Sequence, residues 1–186
     1  MILRESRIPE QKTWDTFFTP MDIIKKFGIE KTIKPIADIG CGYGTFTIPL
    51  AQTVNQTIYA VDIENKFLET IKSKKKKNIQ TINYDVFENE LTLPENVGSI
   101  LLFNILHNEN PNRVVKNVLP NLSINGKIYV IHWRSDIETL RGPPLNIRPK
   151  PEDIINQFET IGFEKVDCFY NISQYHYGLT FQRRVQ

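Results

Sequence analysis

The sequence predicts an α/β fold: one domain on a doubly wound, seven-stranded, mostly parallel sheet with one antiparallel strand near the C-terminus. Three observations carry that expectation. Short apolar runs alternate with longer amphipathic ones along most of the 186 residues, the rhythm of a parallel sheet with helical crossovers. The run "GSILLFN" is apolar nearly throughout, as a central strand covered on both faces must be. The last two apolar runs follow one another with no helical stretch between them, which makes one late strand antiparallel.

The elements follow in order. Thr19-Pro20 starts a helix as N-cap and first helical position, Asp22 supports its first turn, and Gly28 ends it. "KPIADIG" is a short buried strand stopped by glycine. "TFTIPLAQTV" is the helix after it, with Pro49 predicting an early, kinked first turn. "QTIYAVD" and "NKFLETIKSKKKK" give the second strand and helix, and "NIQTINYD" and "GSILLFN" two further strands. "NPNRVVKNVLPNL" is a helix, "NG" a turn, and "KIYVIHW" the fifth strand. "PEDIINQFETIG" is a helix bounded by Pro151 and Gly162, and "FEKVDCFYNIS" and "YGLTFQRRV" form a closing hairpin. Five β–α repeats and a terminal hairpin result. Residues 1–34 stand outside this repeat and are expected to form an N-terminal helical lid segment on the same domain.

Composition excludes several classes. Hydrophobic residues make up 40% of the chain and charged residues 24%, values of a globular rather than a disordered protein. A net charge of +2 is too small to argue for a nucleic-acid partner. No apolar run reaches the ~18 residues of a membrane helix, and Met1 to Glu10 lacks the apolar core of a signal peptide. Cys41 and Cys168 make neither a disulfide framework nor a metal cluster. A cytoplasmic protein without a membrane span or a metal site is therefore expected.

The chemistry concentrates in "IADIGCGYGTF". Gly40-Cys41-Gly42-Tyr43-Gly44 follows a buried strand, and Asp38 stands two residues before the first glycine. A glycine turn lets backbone approach a ligand, and the helix behind it presents unpaired N–H groups. In an open α/β sheet such a turn lies at the carboxyl ends of the strands, where ligands bind. The GxGxG spacing is not the GxGxxG dinucleotide fingerprint, although Asp62 sits where that motif puts its ribose-binding acid. A buried carboxylate at Asp38 suits an ammonium better than a pyrophosphate.

"ADIGCGYGTF" resembles motif I of the class I S-adenosylmethionine (SAM)-dependent methyltransferases, in the branch similar to the ubiquinone/menaquinone-biosynthesis enzymes (type 11/25). The resemblance runs from about Ile36 to the C-terminus and implies a Rossmann-like methyltransferase fold with SAM as cofactor and S-adenosylhomocysteine (SAH) as product. "YAVDIE" looks like the second motif, implying that Asp62 holds both ribose hydroxyls and Ile63 packs on adenine. "NYDVFE" is similar to the adenine-edge motif, with Asp85 accepting from the exocyclic amine and the Val86 N–H facing the ring. "LLFNILHNENP" resembles the fourth motif, in which the Asn104 carbonyl meets the methionine ammonium and His107 begins the next helix. Gly40, Cys41, Gly42 and Tyr43 complete the implied cofactor set with Asp38. One departure is Gly98-Ser99, where the family carries aspartate; a looser strand start is expected there, without loss of the cofactor.

Bland alternatives stand beside these readings. Asp85 is also a turn former, His107 also a helix-start residue, and Lys74 to Lys77 a solvated helix end on the edge away from the ligand. Methyl transfer from a sulfonium asks mainly for placement and exclusion of water, and for a base only if the acceptor must lose a proton. His107 and His132, both at strand ends, are the candidate catalytic residues. Tyr43 and Trp14 are candidates for an aromatic face near the sulfonium, and Arg134, Arg141 and Arg148 for an anionic acceptor. The sequence reading is thus a SAM-dependent methyltransferase acting on a small-molecule acceptor, with a homodimer left open. The alternative is a non-catalytic SAM/SAH-binding protein or a subunit of a methyltransferase complex. An oxidoreductase is disfavoured by the loop spacing and by Asp38.

Overall fold

A computed structural model describes residues 11–107, 111–139 and 142–184, apart from the side chains of residues 13–15. Seven strands form one sheet: β1 (Ile36–Ile39), β2 (Ile58–Asp62), β3 (Ile79–Asn83), β4 (Val97–Phe103), β5 (Leu122–Trp133), β6 (Phe163–Ser173) and β7 (His176–Arg183). Their spatial order is β3-β2-β1-β4-β5-β7-β6. The first five pair in parallel, and β7 runs against both β5 and β6. The chain moves outward from β1 to β3, then returns to β4 on the other side of β1. That reversal makes the gap between the β1 and β4 ends the switch point of the sheet.

Among the described residues six α-helices accompany the strands: α1 (Gln11–Trp14), α2 (Pro20–Phe27), α3 (Thr47–Thr53), α4 (Asn65–Ser73), α5 (Pro111–Val118) and α6 (Pro151–Thr160). Period-2 alternation along the strands sends alternate residues to opposite layers. Ile39, Val61, Leu102 and Val130 pack on one face with Val114, Val115 and Val118 of α5 and Ile154 and Phe158 of α6. Ile36, Ile58, Leu101 and Ile131 pack on the other with Ile23, Ile24 and Phe27 of α2 and Leu50 of α3. Each of these fully buried aliphatic side chains contributes about 1.5–3 kcal/mol.

Local signals explain the helix ends. Thr19 opens α2 through its carbonyl, which accepts from Asp22 and Ile23, and its side chain makes no capping bond. Gly28 closes α2 at φ 69°, a left-handed conformation that costs glycine little. Pro49 is the third residue of α3, where its missing N–H leaves no intrahelical bond unmade.

Four expectations change. The connection from β3 to β4 contains no helix, so the β–α repeats number four rather than five. Residues 84–96 fold instead through turns pinned by side chains: Tyr84 Oη donates to Glu90 O at 2.8 Å, and Asn121 bonds Leu91 and Leu93. Leu91 and Leu93 then cover the sheet as a helix would. Asn125-Gly126 does not turn the chain; it lies inside β5, where two steps on β4 (Val97 to Ser99) face five on β5 (Leu122 to Lys127). The start of β4 is irregular there but not loose, because a Cβ on Gly98 would lie 2.8 Å from Lys34 Cβ, and Ser99 is buried. Finally, His107 itself is not helical, and α5 is described from Pro111.

Candidate active site

The glycine loop sits at the carboxyl end of β1, beside β2 and β4. Gly40 has φ 69°, and a Cβ there would come within 2.8 Å of Ile105 Cδ1, so both the conformation and the contact require glycine. A Cβ on Gly44, at φ 80°, would come equally close to Ile71 of α4. The loop is stitched to β2 by Gly40 N–H and Cys41 N–H, which both donate to Val61 O.

Asp62 ends β2 and is 8% exposed. Its Oδ2 accepts from Gly42 N–H and its Oδ1 from Glu64 N–H, each at 2.9 Å. Asp38, 3% exposed, accepts a 2.5 Å bond from Thr47 Oγ1 at the start of α3. Burial pushes its carboxyl up to about 6, against the Thr47 bonds, and the Asp62 charge pushes the same way. Burial likewise raises Asp62, opposed by its backbone N–H partners, and raises the Cys41 thiol well above its usual range. Among the described residues no cation pairs with either carboxylate. Two adjacent buried acids without a counter-charge form a site short of positive charge.

The other predicted residues line up along the same sheet edge. Ile63 is 40% exposed just beyond Asp62. Asp85 Oδ1 accepts from Phe87 N–H at 2.9 Å, so it does form a turn. Val86 is buried, with its carbonyl held by Asn117 Nδ2. Asn104 follows β4 at φ 56°, rare for a residue with a side chain, and its N–H donates to Ile131 O at 2.7 Å. Both polar atoms of its side chain are buried without a partner. Tyr43 packs edge-on against Phe67 of α4, at 4.6 Å between centroids. The Trp14 side chain and Arg141 lie outside the described residues.

His107 and His132 meet, with ring centroids 5.4 Å apart. His132 is fully buried on β5, and burial lowers its pKa well below the usual range; His107 is partly buried and lowered for the same reason. Arg134 and Arg148 are each bonded within the protein. Arg148 is buried and donates to the carbonyls of Pro143, Arg134 and Ile137, which folds the loop after β5 around it. Arg134 is bound by Asp136 and Asn171. The 290 Å³ hollow beside α6 is lined by charges of both signs, Arg134 and Lys150 with Asp136 and Glu152. Lys74 to Lys77 follow α4 at the opposite edge, where Ile58 N–H meets Asn78 O at the start of β2.

Two residues went unnoticed in the sequence. Thr47 anchors Asp38, and a hydroxyl at the first position of α3 was the available signal. Asn83 clamps the turn after β2 by donating to Asp62 O and Ile63 O; nothing in an isolated asparagine announces that.

The sequence profile of a methyltransferase domain matches residues 36–126, from β1 into β5. A putative type 11 methyltransferase from Sulfolobus solfataricus superposes with a TM-score of 0.74 and 28% identity, over 91% of this chain and 95% of that one. The matched segment is similar to a methyltransferase domain, and the described fold to SAM-dependent methyltransferases. The same fold appears in a SAM-dependent methyltransferase from Aquifex aeolicus, at a TM-score of 0.77 and 19% identity over 92% and 93% of the two chains. It appears again in the SAH-bound magnesium protoporphyrin IX methyltransferase of Synechocystis PCC 6803, at 0.69 and 16% over 97% and 90%. An uncharacterized protein of Haemophilus influenzae is 45% identical over 47 residues, a quarter of this chain but only 17% of that relative's length. No helix among the described residues is long and apolar enough to cross a membrane.

Proposed function

We propose that the protein transfers a methyl group from S-adenosylmethionine to a small-molecule acceptor. The observation that carries the reading is the pair of buried carboxylates, Asp38 and Asp62, at adjacent strand ends around one glycine loop and without a counter-charge. When bound, the cofactor supplies a methyl group on a cationic sulfur that departs as a neutral thioether.

The chain's own groups suit that ligand by chemistry. Asp62 has its two oxygens fixed by backbone N–H groups and keeps a second lone pair on each for a sugar hydroxyl. Asp38 is stabilised as an anion by any ammonium brought near it, and the Asn104 carbonyl is the proposed acceptor for the same group. Gly40, Cys41, Gly42 and Tyr43 let backbone approach closely. Ile63 offers an accessible apolar face for adenine, and Asp85 and Val86 its edge. The proposed lid is the part of residues 1–34 that precedes α2, since α2 itself is committed to the sheet through Ile23, Ile24 and Phe27. Phe17 belongs to that part, whereas Phe18 packs in the same core as α2.

Isothermal titration with SAH and with NAD tests the cofactor. SAH binding without NAD binding is the expected result, and the reverse overturns the proposal. SAH production from SAM with a metabolite panel, lost in Asp62→Ala, then separates an enzyme from a silent binder.

A further inference from the structure

The two histidines behind Asn104 form a unit that cofactor binding leaves unused. His132 Nδ1 lies 3.4 Å from Trp133 O. A carbonyl only accepts, so that contact favours the tautomer with hydrogen on Nδ1 and the lone pair on Nε2. His132 Nε2 is buried without a partner, and so is His107 Nδ1. Such orphaned atoms are few in folded proteins, and these two belong to neighbouring rings 5.4 Å apart between centroids. The two atoms do not bond to each other in this structure, but one N–H···N bond of about 3 Å would hold two imidazole centroids at roughly this spacing. The ring of His107 is partly buried with Nδ1 inside, which leaves Nε2 on its accessible side.

We propose that His107 is the proton acceptor of the methyl transfer and His132 its positioning residue, so that the acceptor attacks through a hydroxyl or amine. This rests on the methyltransferase reading and deepens it. Trp133 O fixes the His132 tautomer, His132 Nε2 takes a hydrogen bond from His107 Nδ1–H, and His107 Nε2 carries the lone pair toward the acceptor. The logic is that of a base oriented by a third group. As the acceptor's oxygen or nitrogen bonds to the methyl carbon, the carbon–sulfur bond breaks and its electron pair stays on sulfur. The acceptor's proton passes to His107 Nε2. One positive charge is lost at sulfur and one appears on imidazolium, so the site keeps its net charge.

Other groups at this edge are committed elsewhere. Asp38 is bonded to Thr47, Asp62 to the glycine loop, and Arg134 to Asp136. The charged and titratable neighbours acting on His132 are His107, His176 and Arg148, and all of them disfavour its protonation. Both rings are therefore neutral at pH 7, as a base requires.

The test is ¹⁵N NMR of the histidine rings in the full chain with SAH bound, since three histidines are readily assigned by single substitution. His107 is expected as the Nδ1–H tautomer and His132 as Nδ1–H. His132→Phe should shift His107 toward the Nε2–H form and move its titration, whereas His176→Gln should change neither. An Nε2–H tautomer at His107 in the wild type, or no change in His132→Phe, overturns the inference. Both variants should keep wild-type SAH affinity by calorimetry, which reports folding independently. If the wild type binds no SAH, the cofactor reading fails instead. In SAM turnover with a metabolite extract, His107→Gln should lose about 100-fold or more of the wild-type rate; an equal rate overturns the base assignment.

Discussion

The carboxyl edge of the sheet has two halves with opposite electrostatics. Around β1 and β2, Asp38 and Asp62 are buried acids whose pKa values are raised. Around β4, β5 and β7, the partly buried His107 and the buried His132 and His176 are bases whose values are lowered, His176 to about 3. Burial is the first cause in every case, so both halves resist charge for the same reason. The consequence differs. The acid half calls for a cation from outside, whereas the histidine half is stable as it stands and ready to accept a proton. A sulfonium amino acid suits the first half, and a proton released by an acceptor suits the second.

The largest expected effect is in the acid half. Asp62→Ala removes the acceptor of two backbone N–H bonds and the proposed ribose ligand, so SAH affinity should fall about 100-fold or more, as two charge-assisted bonds suggest. Calorimetry measures it, and an unchanged affinity would detach Asp62 from the ligand. Next comes Arg148→Ala. The loss of three carbonyl bonds and of the contact over the Trp133 ring should cost about 2–4 kcal/mol and expose the 134–148 loop to protease. Arg148→Lys should not restore it, because an ammonium lacks the fork.

The two halves should also respond to pH with opposite sign. Each buried histidine has a folded pKa below its unfolded value of ~6.5. The folded state then binds fewer protons, and stability present above pH ~6.5 is lost as pH falls below it, by up to about 1.4 kcal/mol per unit for each group. Asp38 is the reverse: its folded value, about 6, exceeds the unfolded 3.8, so its contribution is present below 3.8 and lost as pH rises through 6. SAH binding, which favours the anion, should weaken as pH drops through 6 in the wild type and remain flat in Asp38→Asn. Urea melts and calorimetry across pH 4–8 separate the two slopes. The smallest effect is expected from Lys74 to Lys77 changed to glutamate, which should leave SAH affinity within about twofold because the run lies on the other edge.

The sheet, its single reversed strand and the glycine loop were all legible in the sequence, because apolar period and glycine placement are local signals. The β3–β4 connection was not. Its structure depends on Asn121, some thirty positions from Leu91, and no local pattern encodes a bond of that range. Arg148 misled for a similar reason: an arginine in a proline-rich loop reads as exposed, and only the folded loop shows it capping carbonyls. At the site, Asp38 and Asp62 were legible from their strand ends. That Asp38 spends a lone pair on Thr47, and that His107 after β4 meets His132 on β5, follows only from packing.

The most direct measurement is the heat of SAH binding to the wild type beside Asp38→Asn and Asp62→Ala. Micromolar binding weakened in both variants, and most in Asp62→Ala, is the predicted outcome. Absence of heat at millimolar SAH, or equal affinity in all three proteins, would contradict the claim that these two carboxylates hold a sulfonium nucleoside.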